Sequence, residues 1–487
     1  MKKISEKGML IGAGAALSVS IALACASSVT NNPDGDAWFL AATGKMIMER
    51  GFLKENPFCV VDGLKLTIQS PLTCILNGVF DGLFGMSGLW ILAMILNCFV
   101  LLCAFWAIRK EDASPFRKVL VLATLEFLLI RSGIVSTRPY QMTVATSFLA
   151  IAAWKREFDK GTRRAFFETL ALQAALSVLQ ANVSSASLFY LYLWPMCFAV
   201  DFPPDPRGKK AAKWLEEVGR LVVRALKILL PAWLVTFAAS MLNPYGFDNA
   251  VYIIRSIPAV KNLKGINEMQ PPLLFSSQFL FIALLAAGVF VLWKNKILKP
   301  WILWLSLGSA CLAFQYNRNL WVLYVAACFV AASITSADDE RIPVPRLVPV
   351  MPVIGLILGF CVAGATNPHL KESEPVTAVK EAMARGEEVI LYTSFDAGGR
   401  FEYAGIKTFA DARLELLTEG ICGKPVMEDY FRVDLMGADP KSFIEKYGFN
   451  YLATTQNVGY LGYYAYNSPD WELVASGDGI NLYRKIR

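Results

Sequence analysis

The chain has 487 residues, 55% of them hydrophobic and 18% charged, with a mean hydropathy of +0.43. Globular proteins carry roughly 25% charged residues, so a string of soluble domains is excluded. Charge is also uneven: residues 1–366 hold a net +12 and residues 367–487 a net −5.

Apolar runs of bilayer length, about 17–25 residues, are read near 9–30, 83–107, 118–137, 139–154, 166–182, 185–200, 228–243, 273–293, 300–316, 319–335 and 347–366. These are about eleven spans, the fourth to sixth being short. The first follows Met1-Lys2-Lys3 as a signal sequence does. Asn-Pro-Asp stands after it in place of a small-residue cleavage site, so it is kept as a span. With the N-terminus inside, the inner segments hold 24 Lys and Arg and the outer ones 9, which sets the orientation. An odd span count then places the acidic tail outside. Lys209 to Lys227 alternates basic and apolar residues at helical spacing, which suits the anionic inner leaflet.

Two outer segments, 31–82 and 244–272, are too long to be mere connectors. In the first, Asp36 is placed to N-cap a helix from Ala37 to Arg50 that Gly51 stops. Trp38, Phe39, Ala42 and Met46 share a face of it, and the helix is expected along the outer membrane surface. The expected division is therefore 1–366, a membrane domain, and 367–487, a small α/β domain outside. In the tail the pattern predicts a helix from Val376 to Ala384 and a strand from Glu388 to Phe395. A turn at Asp396-Ala397-Gly398-Gly399 and a strand near Lys407 follow, then helices near Leu414 and Lys441 and a strand from Tyr451 to Thr455. A hairpin turning at Asp478-Gly479 closes the chain. Residues 372–487 are expected to fold as a soluble unit without catalytic residues.

A single histidine, His369, excludes His-based metal clusters, Ser-His-Asp triads and a histidine proton relay. The ten cysteines contain no Cys-x-x-Cys pair, and most lie in apolar runs as small hydrophobes. A Gly-rich loop ending in Gly-Lys-Ser/Thr is lacking, which removes the usual ATP-driven pump. The basic excess lies between spans, so nucleic acid is not an expected partner. Of the chemistry that remains, Asp34 and Asp36 are the strongest feature. A carboxylate at a membrane boundary suits a general base acting on a hydroxyl whose partner is lipid-bound; a capped helix and a turn are the plain alternative. Glu126 and Arg131 lie in the third span and can fix packing or serve function. Arg138 and Arg318, at outer span ends, can clamp a lipid phosphate or snorkel to headgroups. Asn243-Pro244-Tyr245-Gly246 stops the seventh span, and Glu268 and Gln270 can line a polar site.

An ordered set of residues carries a resemblance. Asp36-Ala37-Trp38, Thr43-Gly44, Gly51, Asn56-Pro57-Phe58, Arg138-Pro139, Asn182, Asn243-Pro244-Tyr245-Gly246, Glu268 and Arg318-Asn319 follow in sequence. The chain resembles bacterial integral-membrane glycosyltransferases of the GT-C superfamily, related to protein O-mannosyltransferases and lipid A aminoarabinose transferases. Asp396-Ala397-Gly398-Gly399 and Asp411-Ala412-Arg413-Leu414-Glu415 resemble the outer domain of one branch. Relatives often carry a histidine two positions beyond Asn182, where Ser184 stands.

The resemblance implies transfer of a sugar from a polyprenyl-phosphate donor to a lipid, glycan or protein acceptor, outside the bacterial cytoplasmic membrane. Asp34 or Asp36 would be the base. Arg138 and Arg318 would meet the phosphate, with Asn182, Asn243, Tyr245 and Glu268 binding substrate. No cofactor is required, although two close carboxylates can hold a divalent ion. The competing reading is a flippase for lipid-linked saccharides or a non-catalytic subunit of a polysaccharide assembly system. Internal repeats would favour a transporter, and none is found.

Overall fold

The computed structural model describes residues 6–31, 35–111, 113–200, 211–252, 254–256, 270–274, 276–334, 348, 350–366, 372–455 and 459–486. Asp34 and Glu268 lie outside the described residues. The chain forms two compact units: Met1–Asn31, Ala93–Gly246 and Lys264–Asn367 in the first, Asn32–Leu92, Phe247–Leu263 and Pro368–Arg487 in the second.

Each of the eleven apolar runs contains a helix. Among the described residues, four helices can by length and composition cross a membrane: Gly8–Ser28, Ser87–Ile108, Ala211–Ser240 and Ser277–Lys294. The first unit packs large buried rings from the helices Leu188–Ala199, Pro300–Gln315 and Leu320–Ser333. Phe198 stacks on Trp301 at 5.0 Å and Trp301 meets Phe329 edge-on at 5.7 Å. One glutamine ties four helices. Gln173 accepts from Trp154 Nε1 at 3.1 Å and donates to Leu191 O at 2.8 Å and Thr236 Oγ1 at 2.9 Å. Where no water competes, such a saturated amide holds helices together. Glu126 is not paired with Arg131: Asn97 donates to its carboxylate at 2.5 Å, and Arg131 is exposed in the last turn of its helix. The basic stretch from Ala211 to Lys227 is the first half of the Ala211–Ser240 helix.

The second unit holds a four-stranded sheet in the order β1-β2-β4-β3, with β1 Leu391–Thr393, β2 Tyr451–Thr455, β3 Trp471–Gly477 and β4 Ile480–Lys485. β1 runs parallel to β2, and the other pairs are antiparallel. Both faces of β1 are covered, and all three of its residues are buried. Leu391 joins Val376, Val379 and Phe401 on one side. Tyr392, on the other, packs against Tyr430, Phe443 and Phe449. The hairpin is as predicted, with Asp478 and Gly479 both at positive φ (52° and 76°), the backbone a two-residue turn demands.

Several expectations fail here. Asp396-Ala397-Gly398-Gly399 is no turn but part of the helix Phe395–Tyr403, and no strand forms at Lys407, where a single bridge joins Cys59 to Thr408. The glycines are needed for close approach. A Cβ on Gly398 would lie 2.0 Å from Ala410 O, and one on Gly399 3.0 Å from Gly35 O. The Gly35–Arg50 helix has partners that its amphipathic pattern did not name. It packs on the Phe395–Tyr403 helix and on Pro71–Phe84, a helix the sequence reading lacks. At that second crossing a Cβ on Gly44 would lie 1.9 Å from Cys74 O. The tail packs together with residues 32–92 in one unit.

Candidate functional site

Arg318 sits in the 3-10 turn Asn317–Asn319, between the helices Pro300–Gln315 and Leu320–Ser333. Asn319 fixes that turn. Its Nδ2 donates to Leu312 O at 3.0 Å, and its Oδ1 accepts from the Tyr190 hydroxyl at 2.8 Å. Asn317 N donates to Gln270 O at 2.9 Å. The Arg318 side chain is exposed, its guanidinium 4.8 Å over the Tyr140 ring. Tyr140 opens the Tyr140–Lys160 helix, two residues past half-buried Arg138, so the structure brings Arg318 to the turn carrying Arg138. A ring face attracts a guanidinium and orients its fork.

Asn182 and Asn243 are brought together as well, but by the backbone. Asn182 Nδ2 donates to Val178 O at 2.8 Å and Leu242 O at 2.9 Å. Asn243 Oδ1 accepts from Tyr245 N at 2.7 Å while its Nδ2 donates to Ser240 O at 2.6 Å and Gly246 O at 3.1 Å. The pair ends one helix and aims Tyr245, which is half-buried. Ser184, where relatives carry histidine two residues past Asn182, is buried, its Oγ 3.0 Å from Ser187 Oγ.

In the second unit Asp36 lies within the first turn of the Gly35–Arg50 helix, not before it as a cap. There its charge complements the helix N-terminus. Further along that helix Lys45 meets buried Asp81 at 2.5 Å, and the Tyr403 hydroxyl donates to Asp81 at 3.0 Å. The arrangement missed from sequence is the buried triad of Arg413, Asp411 and Glu402. Arg413 donates to Asp411 Oδ2 at 2.9 Å, Glu402 Oε2 at 2.8 Å and Thr43 Oγ1 at 3.0 Å. Its guanidinium lies 4.5 Å from the Phe39 ring and 5.6 Å from Phe58. Burial, with Asp411 beside it, pushes the Glu402 carboxyl well above the carboxylate range. Burial would raise Asp411 too, yet the charge and hydrogen bonds of Arg413 outweigh it and hold Asp411 low. Asp411-x-Arg413 was visible as a motif, whereas Glu402 has no local signal. This triad is sealed and architectural, with Arg413 only 7% exposed. Among the described residues no three His, Cys, Asp or Glu side chains gather to hold a metal.

The fold of this chain is shared with solved oligosaccharyltransferase structures. The chain is similar to AglB, the oligosaccharyltransferase of Archaeoglobus fulgidus, solved with an inhibitory peptide and a dolichol-phosphate. The TM-score is 0.55 at 12% identity, covering 92% of this chain and 69% of that one. The A. fulgidus oligosaccharyltransferase tethered to an acceptor peptide with an NVT sequon matches at TM-score 0.54 and 12% identity, over 93% and 69%. ArnT from Cupriavidus metallidurans, bound to undecaprenyl phosphate, aligns over 95% and 97% at 12% identity with a TM-score of 0.47. No protein-family model and no curated protein matches the sequence.

Proposed function

We propose that the protein is an integral-membrane glycosyltransferase. It moves a hexose or pentose from a polyprenyl-phosphate donor to an acceptor hydroxyl on the outer side of a bacterial cytoplasmic membrane. The carrying observation is the match of fold, over 92% of the chain, to an oligosaccharyltransferase solved with a dolichol-phosphate. The reaction needs little from the protein. The acceptor oxygen bonds to the anomeric carbon as the bond to the phosphate oxygen breaks, and the polyprenyl phosphate leaves with the electron pair. A single displacement inverts the anomeric centre. The acceptor proton passes to Asp34 or Asp36, and Arg138 and Arg318 balance the departing phosphate. Tyr245 and Glu268 bind substrate, with Asn182 and Asn243 holding the turn. No step is routed through a metal.

Donor binding tests the phosphate assignment. Arg318→Ala is expected to weaken polyprenyl-phosphate binding by about 10- to 100-fold, the loss of a charged hydrogen-bonding fork. Arg318→Lys, which keeps charge but not the fork, should fall between. Unchanged affinity in both variants would remove Arg318 from the site.

A further inference from the structure

The helix Tyr460–Asn467 carries four tyrosines in eight residues and no charged side chain. Leu461 and Ala465 bury its inner face, and Gly462 lies so close to Thr454 that a Cβ there would be 2.9 Å from Thr454 Oγ1. Its start is pinned as well, since Leu461 N donates to buried Asp434 at 3.3 Å. The outer face is left to solvent, with Tyr460 at 38%, Tyr463 at 68% and Tyr466 at 76% exposure. Tyr460 and Tyr463 are stacked, ring centroids 6.5 Å apart and planes 29° apart. Three rings on a rigid helix thus form a stripe rising about 9 Å from first to last.

We propose that this stripe binds a neutral oligosaccharide, which is the acceptor. The apolar C–H face of a sugar ring packs on an aromatic face, and tyrosine adds a hydroxyl for the ring's own hydroxyls. Charge selects the occupant. An interfacial helix that enters an anionic leaflet pairs apolar side chains with lysine and arginine, and this helix has neither. The tail around it, residues 367–487, carries a net −5 and repels anionic lipid and polyphosphate alike. Neutral sugar is what an uncharged aromatic stripe on an acidic surface accepts. The assignment rests on the transferase reading for the acceptor role, but not for the binding itself.

The test uses the full chain in lipid nanodiscs, titrated calorimetrically with maltohexaose, mannohexaose and chitohexaose in the absence of donor. At least one should bind. The double variant Tyr463→Ala/Tyr466→Ala should weaken that binding by about tenfold or more, as loss of aromatic anchors does. Tyr463→Phe/Tyr466→Phe, which keeps the rings, should retain most of it. Polyprenyl-phosphate affinity should be unchanged in all of them, so failure here is separable from failure of the transferase reading. Absence of binding to all three sugars, or binding indifferent to the double alanine, overturns the proposal. So does a detergent-solubilised dimer that the double alanine dissolves, since the face would then belong to a second copy.

Discussion

Arg413 shows how one side chain sets the chemistry of its neighbours. With both carboxylates and Thr43 bound to it, replacement by methionine leaves buried acids unpaired, at a cost of about 3–5 kcal/mol. Thermal unfolding of the Arg413→Met protein checks this. The same triad gives a pH dependence. Glu402 is raised, so its contribution is full below its unfolded pKa and is lost as pH rises through the folded one. Asp411 is lowered, so its contribution is present above its unfolded pKa and is lost as pH falls. Stability of the wild type should therefore decline as pH rises above the ordinary carboxylate range, and Glu402→Gln should flatten that decline in melting curves. At Arg318 the supporting residue is Tyr190. Its change to phenylalanine removes the bond to Asn319, worth about 1 kcal/mol, and should lower kcat more than it raises KM because the arginine is left less well aimed. An equal loss of fold stability with untouched kinetics would mark Tyr190 as packing only.

At the scale of elements, periodicity was enough wherever one physical signal dominated. Eleven apolar runs, β2 and the Asp478-Gly479 hairpin all stand where pattern places them. Gly398-Gly399 misled because two adjacent glycines signal a turn, whereas here they admit another backbone. Gly44 does the same between the helices Gly35–Arg50 and Pro71–Phe84. A methyl group on Gly44 or Gly398 has no room. Each change to alanine should cost about 1–3 kcal/mol or more in unfolding experiments, beyond any gain in helix propensity. The candidate residues were legible to a different degree. Arg138 and Arg318 stood out as charges at span ends, but Tyr140, Tyr190 and the Asn319 amide that aim Arg318 come from three separate helices or turns. No local spacing links them.

The whole molecule is divided by packing rather than by chain order. Phe39, Thr43 and Phe58, from the segment 31–82, cover a guanidinium from the tail. Composition marks the tail as an acidic domain, but its packing with residues 32–92 leaves no trace in net charge. The fragment 372–487 expressed alone is therefore expected to aggregate or remain partly unfolded, and co-expression with 32–92 should rescue it. A soluble, cooperatively melting fragment would contradict this.

The central claim is chemical transfer from a lipid phosphate, and one measurement meets it directly. Purified protein in nanodiscs is incubated with polyprenyl-phosphate sugars and a hydroxyl acceptor, and release of free polyprenyl phosphate is followed by mass spectrometry. Wild type should release it with inversion at the sugar. Asp34→Asn should abolish release with donor binding intact, and Asp36→Asn should lose only part, with about 0.3–1 kcal/mol of helix stability. Full turnover in both variants would contradict the account, and so would a wild type that binds donor yet never releases lipid phosphate.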